Sequence, residues 1–242
     1  NHGLQRLNEL PLSSRLLREI HEELLRGVRG ERLTSGEFRR SQNWIGPAGC
    51  DLSNAVFVPP PPHEMEQAMG GLETFIHSDA PMPALIKIGL IHSQFETIHP
   101  FLDGNGRMGR LLITFFLCQQ GVLKRPLLYL SSFFKQNRDE YYARLQAVRD
   151  NGDWEQWLQF FVTAVWHTSR DAADTAHQIL MMREGHRHMI QEGLTRSVIG
   201  LELLDHLYQR PYLTVDSAKE LLKVSYPTAN ALIGGLTDLR LL

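Results

Sequence analysis

"ALIKIGLIHSQFETIHPFLDGNGRMGRLLITFFLCQQG", residues 84–121, decides the fold because it sets a polar, glycine-rich insertion between two apolar runs. The first run, 84–98, is strongly apolar at helical spacing and leads to Pro100, whose ring disfavours α geometry at the residue before it. A helix over 84–98 should therefore stop near Ile98 or His99. The second run, 107–121, is apolar almost all round and closes on Gly121, which reads as a buried central helix with a C-terminal stop. The insertion is then a loop joining two core helices.

Helical spacing continues outward on both sides. Residues 12–26 set Leu12, Leu16, Leu17, Ile20, Leu24 and Leu25 on one stripe, with Ser13 or Ser14 as N-cap. Within 35–50, Gly36, Gly46, Pro47 and Gly49 argue against a continuous element and leave an ordered loop. Ala55 to Val58 is a short β-prone run that passes into four prolines. It reads either as an exposed edge that pairs with a visiting peptide or as a rigid linker between helices. A helix over 63–78 follows, then the breaker "DAPMP", and further helices are expected around 131–149 and 153–190, the latter broken or bent within. The larger part, 1–190, is read as all-α.

The remainder, 191–242, has a different pattern. From about 197 an apolar helix leads to a turn at "RPYLT", then to two short helices separated by "KVSY", the second beginning near Pro227. This is a helix-turn-helix pattern. A DNA-recognition helix needs basic residues, yet 227–240 holds only Arg240, so dimerisation or target docking fits at least as well.

Composition narrows the class. With 242 residues and 43% apolar content the chain can bury a substantial core, and a formal net charge of −2 provides no general basic field for nucleic acid. Cys50 and Cys118 make no disulfide framework, and neither a signal peptide nor a membrane-spanning run is visible. A soluble cytoplasmic protein is expected. The chain opens on Asn1 rather than methionine, from which we expect a further segment upstream.

The loop "HPFLDGNGRMGR" (99–110) carries the chemistry. Glycines just before a helix N-terminus expose backbone N–H groups, and with the helix dipole these attract anions. Arg107 and Arg110, one turn apart, complete a cradle for a polyphosphate. Asp103 would repel phosphate unless a hard cation such as Mg²⁺ bridged the two. His99, at the loop entrance, can take a proton from a hydroxyl that attacks the bound phosphate. Together these describe phosphoryl or nucleotidyl transfer. No G-K-[ST] follows the glycines and the preceding segment is helical, so neither the P-loop nor the Rossmann fingerprint applies. A zinc site on His92, Glu96 and His99 is the rival from spacing; His99 abuts Pro100, and His92 with Glu96 also fits a partly buried polar pair.

The same twelve residues fit in full the pattern H-P-F-x-[D/E]-G-N-G-R-x-x-R, and the chain resembles the Fic (Fic/Doc) family of protein adenylyltransferases. "GEFRRSQNWIG" (36–46), "FVPPPP" (57–62) and "LLYLSSFFKQNRDEYYARL" (127–145) are similar to the family's bacterial members. The resemblance covers roughly residues 1–190. It implies an all-α core with a short β-hairpin flap at 54–62, along which a protein substrate docks, and a small winged-helix-like domain at 191–242 whose wing is cut short at Leu242. It implies transfer of AMP from Mg-ATP to a Tyr, Ser or Thr hydroxyl. His99 would be the base, Asp103 the Mg²⁺ ligand, and Gly104, Asn105, Gly106, Arg107, Met108, Gly109 and Arg110 the ATP-binding run. Asn105, Arg107 and Arg110 would also act in catalysis. Phe101 would point into the core, and Tyr141 and Tyr142 are candidates for the adenine pocket, with ordinary helix packing as the alternative.

Many relatives carry an inhibitory helix, [S/T]-x-x-x-E-[G/N], that pairs with the second arginine, here Arg110. The dipeptide "EG" occurs at 184–185 and 192–193, but Leu180 and His188 occupy the Ser/Thr position. The expectation is that this stretch lacks its own brake and that the full protein is regulated. Phosphoryl transfer, removal of AMP, and a DNA-binding regulator with a nucleotide-sensing domain are the alternatives, and a homodimer stays open.

Overall fold

The computed structural model describes residues 2–27, 34–47 and 49–242. Its elements are α1 (His2–Leu7), α2 (Ser14–Leu25), α3 (Pro62–His77), α4 (Ala84–Ile98), α5 (Asn105–Gln119), α6 (Leu130–Gln136), α7 (Arg138–Asn151), α8 (Trp154–Gly193), α9 (Ser197–Gln209), α10 (Val215–Leu222) and α11 (Tyr226–Asp238). The protein is all-α, and none of these helices is long and apolar enough to cross a membrane. Two compact units divide the chain, Asn1–Arg170 and Asp171–Leu242.

In the first unit, α4 and α5 form the centre. Ile88, Ile91, Phe95 and Ile98 of α4 and Met108, Leu112 and Phe116 of α5 are sequestered from solvent, together with Trp157 and Phe161 of α8. Each such side chain contributes about 1.5–3 kcal/mol by leaving water. The two backbones approach closely at Gly109, where a Cβ would collide with the Glu96 carboxyl and stand 3.1 Å from His92 Cε1. The helix ends follow local chemistry. Ser13 caps α2 by accepting the Leu16 N–H at 3.3 Å. Proline opens α3 at its first turn.

Three expectations are corrected. The hairpin over 54–62 reduces to one antiparallel bridge, in which Ile45 N–H reaches Phe57 O at 2.8 Å and Phe57 N–H reaches Ile45 O at 3.1 Å. Prolines 59–62 lack the N–H groups that a longer ladder would need. The helices expected around 131–149 are present as α6 and α7, separated where Asn137 turns out of α6 with its Nδ2 donating to Phe133 O at 2.9 Å. Of the break or bend expected within 153–190, no break is present: α8 runs as one helix of 40 residues. It contains no proline, and its one interior glycine, Gly185, costs only about 1 kcal/mol against alanine. The second unit accordingly begins at Asp171 rather than near 191, since the end of α8 contributes Ile190 to that unit's core.

In the second unit, Leu203, Leu204, Ala218, Ala229, Leu232 and Leu236 are buried with Ile190. Thr214 and Ser217 form a capping box at the start of α10, and Ser225 caps α11 ahead of Pro227. The expected helices are present, but no strand accompanies them among the described residues, so the wing has no counterpart there. Helix α11 carries no Lys or Arg, and Arg240 lies beyond its end.

Gly109→Val should lower stability by about 1–3 kcal/mol through overpacking between α4 and α5, read as a fall in the urea midpoint at unchanged slope.

Candidate active site

Helix α4 ends on His99, which adopts left-handed geometry (φ 50°, ψ 60°) and donates its N–H to Phe95 O at 2.9 Å. The chain then turns inward at Phe101, which is fully buried and stacks on His21 with ring centroids 3.8 Å apart. Asn105 closes the turn from the far side: its Oδ1 accepts the Phe101 N–H at 2.9 Å and its Nδ2 donates to Phe101 O at 2.7 Å. Asn43 Nδ2 donates to His99 O at 3.3 Å and to Phe101 O at 3.0 Å.

Arg39 holds the loop from behind. Its side chain is 1% exposed, and its guanidinium donates to His99 O at 3.0 Å, Ser41 O at 3.3 Å, Ile98 O at 3.4 Å and Pro60 O. Its backbone N–H reaches Pro100 O at 2.9 Å.

Gly104 has φ 80°, and a Cβ there would lie 3.2 Å from His21 Nε2. His21 Nδ1 accepts the Gly36 N–H at 3.0 Å, so its Nε2–H is the donor to Asp103 O at 2.9 Å. The first bond of α5 runs from Met108 N–H to Gly104 O, which leaves the N–H groups of residues 105–107 outside the ladder. Asp103 Oδ1 accepts the Gly104 N–H at 2.7 Å, and Oδ2 lies 3.6 Å from Arg107. Arg107 and Arg110 share one wall of a cavity of about 380 Å³, beside Leu4, Leu24, Leu111, Phe115 and Tyr129. The loop therefore has an imidazole at one end and an anion cradle with two arginines at the other.

Burial drives the electrostatics. The His99 imidazole is pushed down to about 4, first by desolvation and further by Arg149 and Arg39, against the opposing pull of the Glu96 carbonyl and Asp103. It is neutral at pH 7. Its Nδ1–H donates to Glu96 O at 3.4 Å, because a carbonyl can only accept, and Nε2 is left without a proton. His92 is also held down at about 4 by burial; its Nδ1–H donates to Gly109 O at 3.0 Å and its Nε2 accepts the Tyr141 hydroxyl at 2.9 Å.

Several sequence-derived residues take other places. Met108 is a core side chain, Gly109 a packing contact, and the Asn105 side chain is turned inward onto Phe101. Tyr141 is buried at 4% exposure, with Phe134 stacked at 4.6 Å, and does not line the cavity of the two arginines; burial pushes its phenol upward, so it keeps its proton for His92. Tyr142 is 49% exposed, with the Arg138 guanidinium 5.6 Å above its ring. The zinc rival fails because both His92 nitrogens are used internally, and no group of three His, Cys, Asp or Glu among the described residues is placed to hold a metal. Sequence reasoning missed Arg39, Asn43, His21 and Arg149. In "GEFRRSQN" the only signal was two adjacent arginines, one of which, Arg40, pairs at the surface with Glu37.

Residues 11–117 match the Fic/DOC family. A protein adenylyltransferase Fic of Drosophila ananassae is 30% identical over 174 residues, covering 68% of this chain and 31% of that relative. One from Aedes aegypti is 33% identical over 152 residues, covering 62% and 27%. The chain thus spans less than a third of the length of these curated relatives. Among solved structures, a Fic family protein from Desulfovibrio desulfuricans aligns with a TM-score of 0.64 at 23% identity, covering 98% of this chain and 66% of that one. A Fic domain containing signaling protein from Bacteroides thetaiotaomicron aligns at 0.55 and 24%, covering 71% and 66%. These likenesses establish the fold.

The Glu96 carboxyl is pushed up to about 7 by burial, against the pull of Arg110 and Arg149. The native state keeps a proton that the unfolded chain releases above about 4.5, so this group subtracts stability as pH rises from about 4.5 to about 7. Glu96→Gln has no such proton. Its stability relative to wild type should rise across that window by on the order of 2 kcal/mol and level off above it, measured by urea unfolding at pH 5 and pH 8.

Proposed function

The chain is a Fic family protein, and on that premise we propose that it transfers AMP from ATP to a Tyr, Ser or Thr hydroxyl of a protein substrate, with release of pyrophosphate. The observation that carries this reading is His99, with Nδ1 on the Glu96 carbonyl, held at one end of a pinned loop whose other end presents N–H groups outside the α5 ladder and two arginines. The naming of the curated relatives as protein adenylyltransferases supports it.

The residues divide the work as follows. The acceptor hydroxyl gives its proton to His99 Nε2 and its oxygen attacks the α-phosphorus; the bond from that phosphorus to the bridging oxygen breaks, and the electron pair leaves with pyrophosphate. The N–H groups of residues 105–107, the α5 dipole, Arg107 and Arg110 receive the phosphate charge. Asp103 is the carboxylate suited to Mg²⁺: Oδ1 is fixed by the Gly104 N–H, and Oδ2 is too far from Arg107 for a hydrogen bond. Mg²⁺ held by this one carboxylate would take its remaining ligands from water and substrate, and would supply neutralisation of phosphate charge. Asn105 acts here as the clamp on Phe101 rather than through its amide. Exposed Val56 and Val58, beside the Ile45–Phe57 bridge, offer an edge along which an extended acceptor can lie, and the exposed ring of Tyr142 can stack a base.

The test is incubation of the chain and of His99→Ala with a cell lysate, Mg²⁺ and ATP labelled on the α-phosphate. We expect label on protein with a mass gain of one AMP, reduced at least about 100-fold in the variant. Label arriving from the γ-phosphate and not from the α-phosphate would replace the proposal with phosphoryl transfer.

A further inference from the structure

The segment proposed to receive the acceptor is weakly held by its own backbone. Its single bridge comprises Ile45 N–H to Phe57 O at 2.8 Å, Val56 N–H to Ile45 O at 2.9 Å and Phe57 N–H to Ile45 O at 3.1 Å. Residues 51–54, Val56 and Val58 are exposed. A pairing this short is marginal in water without side-chain support. Phe57 has such support: the Arg149 guanidinium carbon lies 3.9 Å from its ring centroid, within the range where a cation is attracted to a ring face.

Arg149 is itself fixed, and its other contacts lead to the base. Its Nε donates to Thr97 Oγ1 at 3.2 Å, one terminal nitrogen to Gln146 Oε1 at 3.2 Å, and the other to Glu96 O at 3.2 Å. That carbonyl is the one that accepts from His99 Nδ1. One guanidinium thus joins α7, the last turn of α4 and the bridged segment. The charged groups facing His99 are Arg149, Arg39 and Asp103, so Arg149 is one of two cations that favour the neutral ring.

We infer that Arg149 is a positioning residue: lying over Phe57 while bonded to the last turn of α4, it holds the acceptor-docking segment 54–58 at a set place beside His99. The acceptor role of that segment rests on the proposed transfer; the latch itself does not. It explains how a single bridge presents an acceptor edge in register with a base carried on another element. It also assigns a role to an arginine outside the 99–110 motif.

The latch is measurable without turnover in the whole 242-residue chain. The Arg149 Nε–H proton should resonate upfield of ordinary guanidinium protons because of the Phe57 ring current, and Phe57→Leu should abolish that shift. In Arg149→Met, hydrogen exchange at the Ile45 and Phe57 amides should speed up about tenfold while α4 and α5 stay protected. Arg149→Lys, which keeps the charge but not the planar fork, should restore part of that protection. Unchanged exchange at Ile45 and Phe57, or a rise shared by every helix, overturns the proposal. In the α-labelled ATP assay, Arg149→Met and Phe57→Leu should each slow transfer, and the double variant no further than the slower single; additive losses would mean that the two act separately and would overturn it. A wild-type chain that moved no AMP would remove the proposed function, and the exchange and ring-current data would still decide the latch.

Discussion

The Arg39 guanidinium sits out of solvent among the backbone carbonyls of Ile98, His99, Ser41 and Pro60, and the candidate site depends on that placement. Removing a cation from water costs several kcal/mol unless its donors find acceptors, so the loop carbonyls and the guanidinium need each other. Because those carbonyls belong to the end of α4, the motif loop and the proline run before α3, one side chain sets three segments at once. The backbone at His99 and Pro100, which leads into the Phe101 turn, is fixed by Arg39 directly.

Three histidines of the first unit act as neutral connectors. His21 links Gly36 to Asp103, His92 links Tyr141 to Gly109, and His99 donates to Glu96, each with one nitrogen on a backbone carbonyl. Burial lowers the affinity of all three for protons, which keeps one nitrogen of each available as an acceptor. At His21 and His92 that acceptor is occupied by the protein. At His99 it is not, and that difference is what the proposed role as base requires.

The same burial acts in the opposite sense on Glu96, whose Oε1 is buried with no hydrogen-bond partner and faces Gly106 and Gly109. Burial there favours the protonated carboxyl and so lessens the negative charge beside the start of α5. Gly109 allows this close approach of α4 and α5, which is a packing role although the residue lies inside the motif.

The sequence alone determined the two central helices, the loop between them and the residues on which the proposed chemistry rests. Apolar periodicity, the restriction imposed by Pro100 and the positive φ available to Gly104 are local properties that neighbouring residues fix. Tertiary structure decided which side chains face the site. Tyr141 and Tyr142 are adjacent and chemically alike, yet about 100° apart on α7, so one is buried on His92 while the other is exposed. Arg39 and Arg40 divide in the same way between carbonyls and solvent, and Arg149 reaches the Glu96 carbonyl, 53 residues away in the chain. Burial and partner choice depend on segments far away in the chain, and no local spacing encodes them.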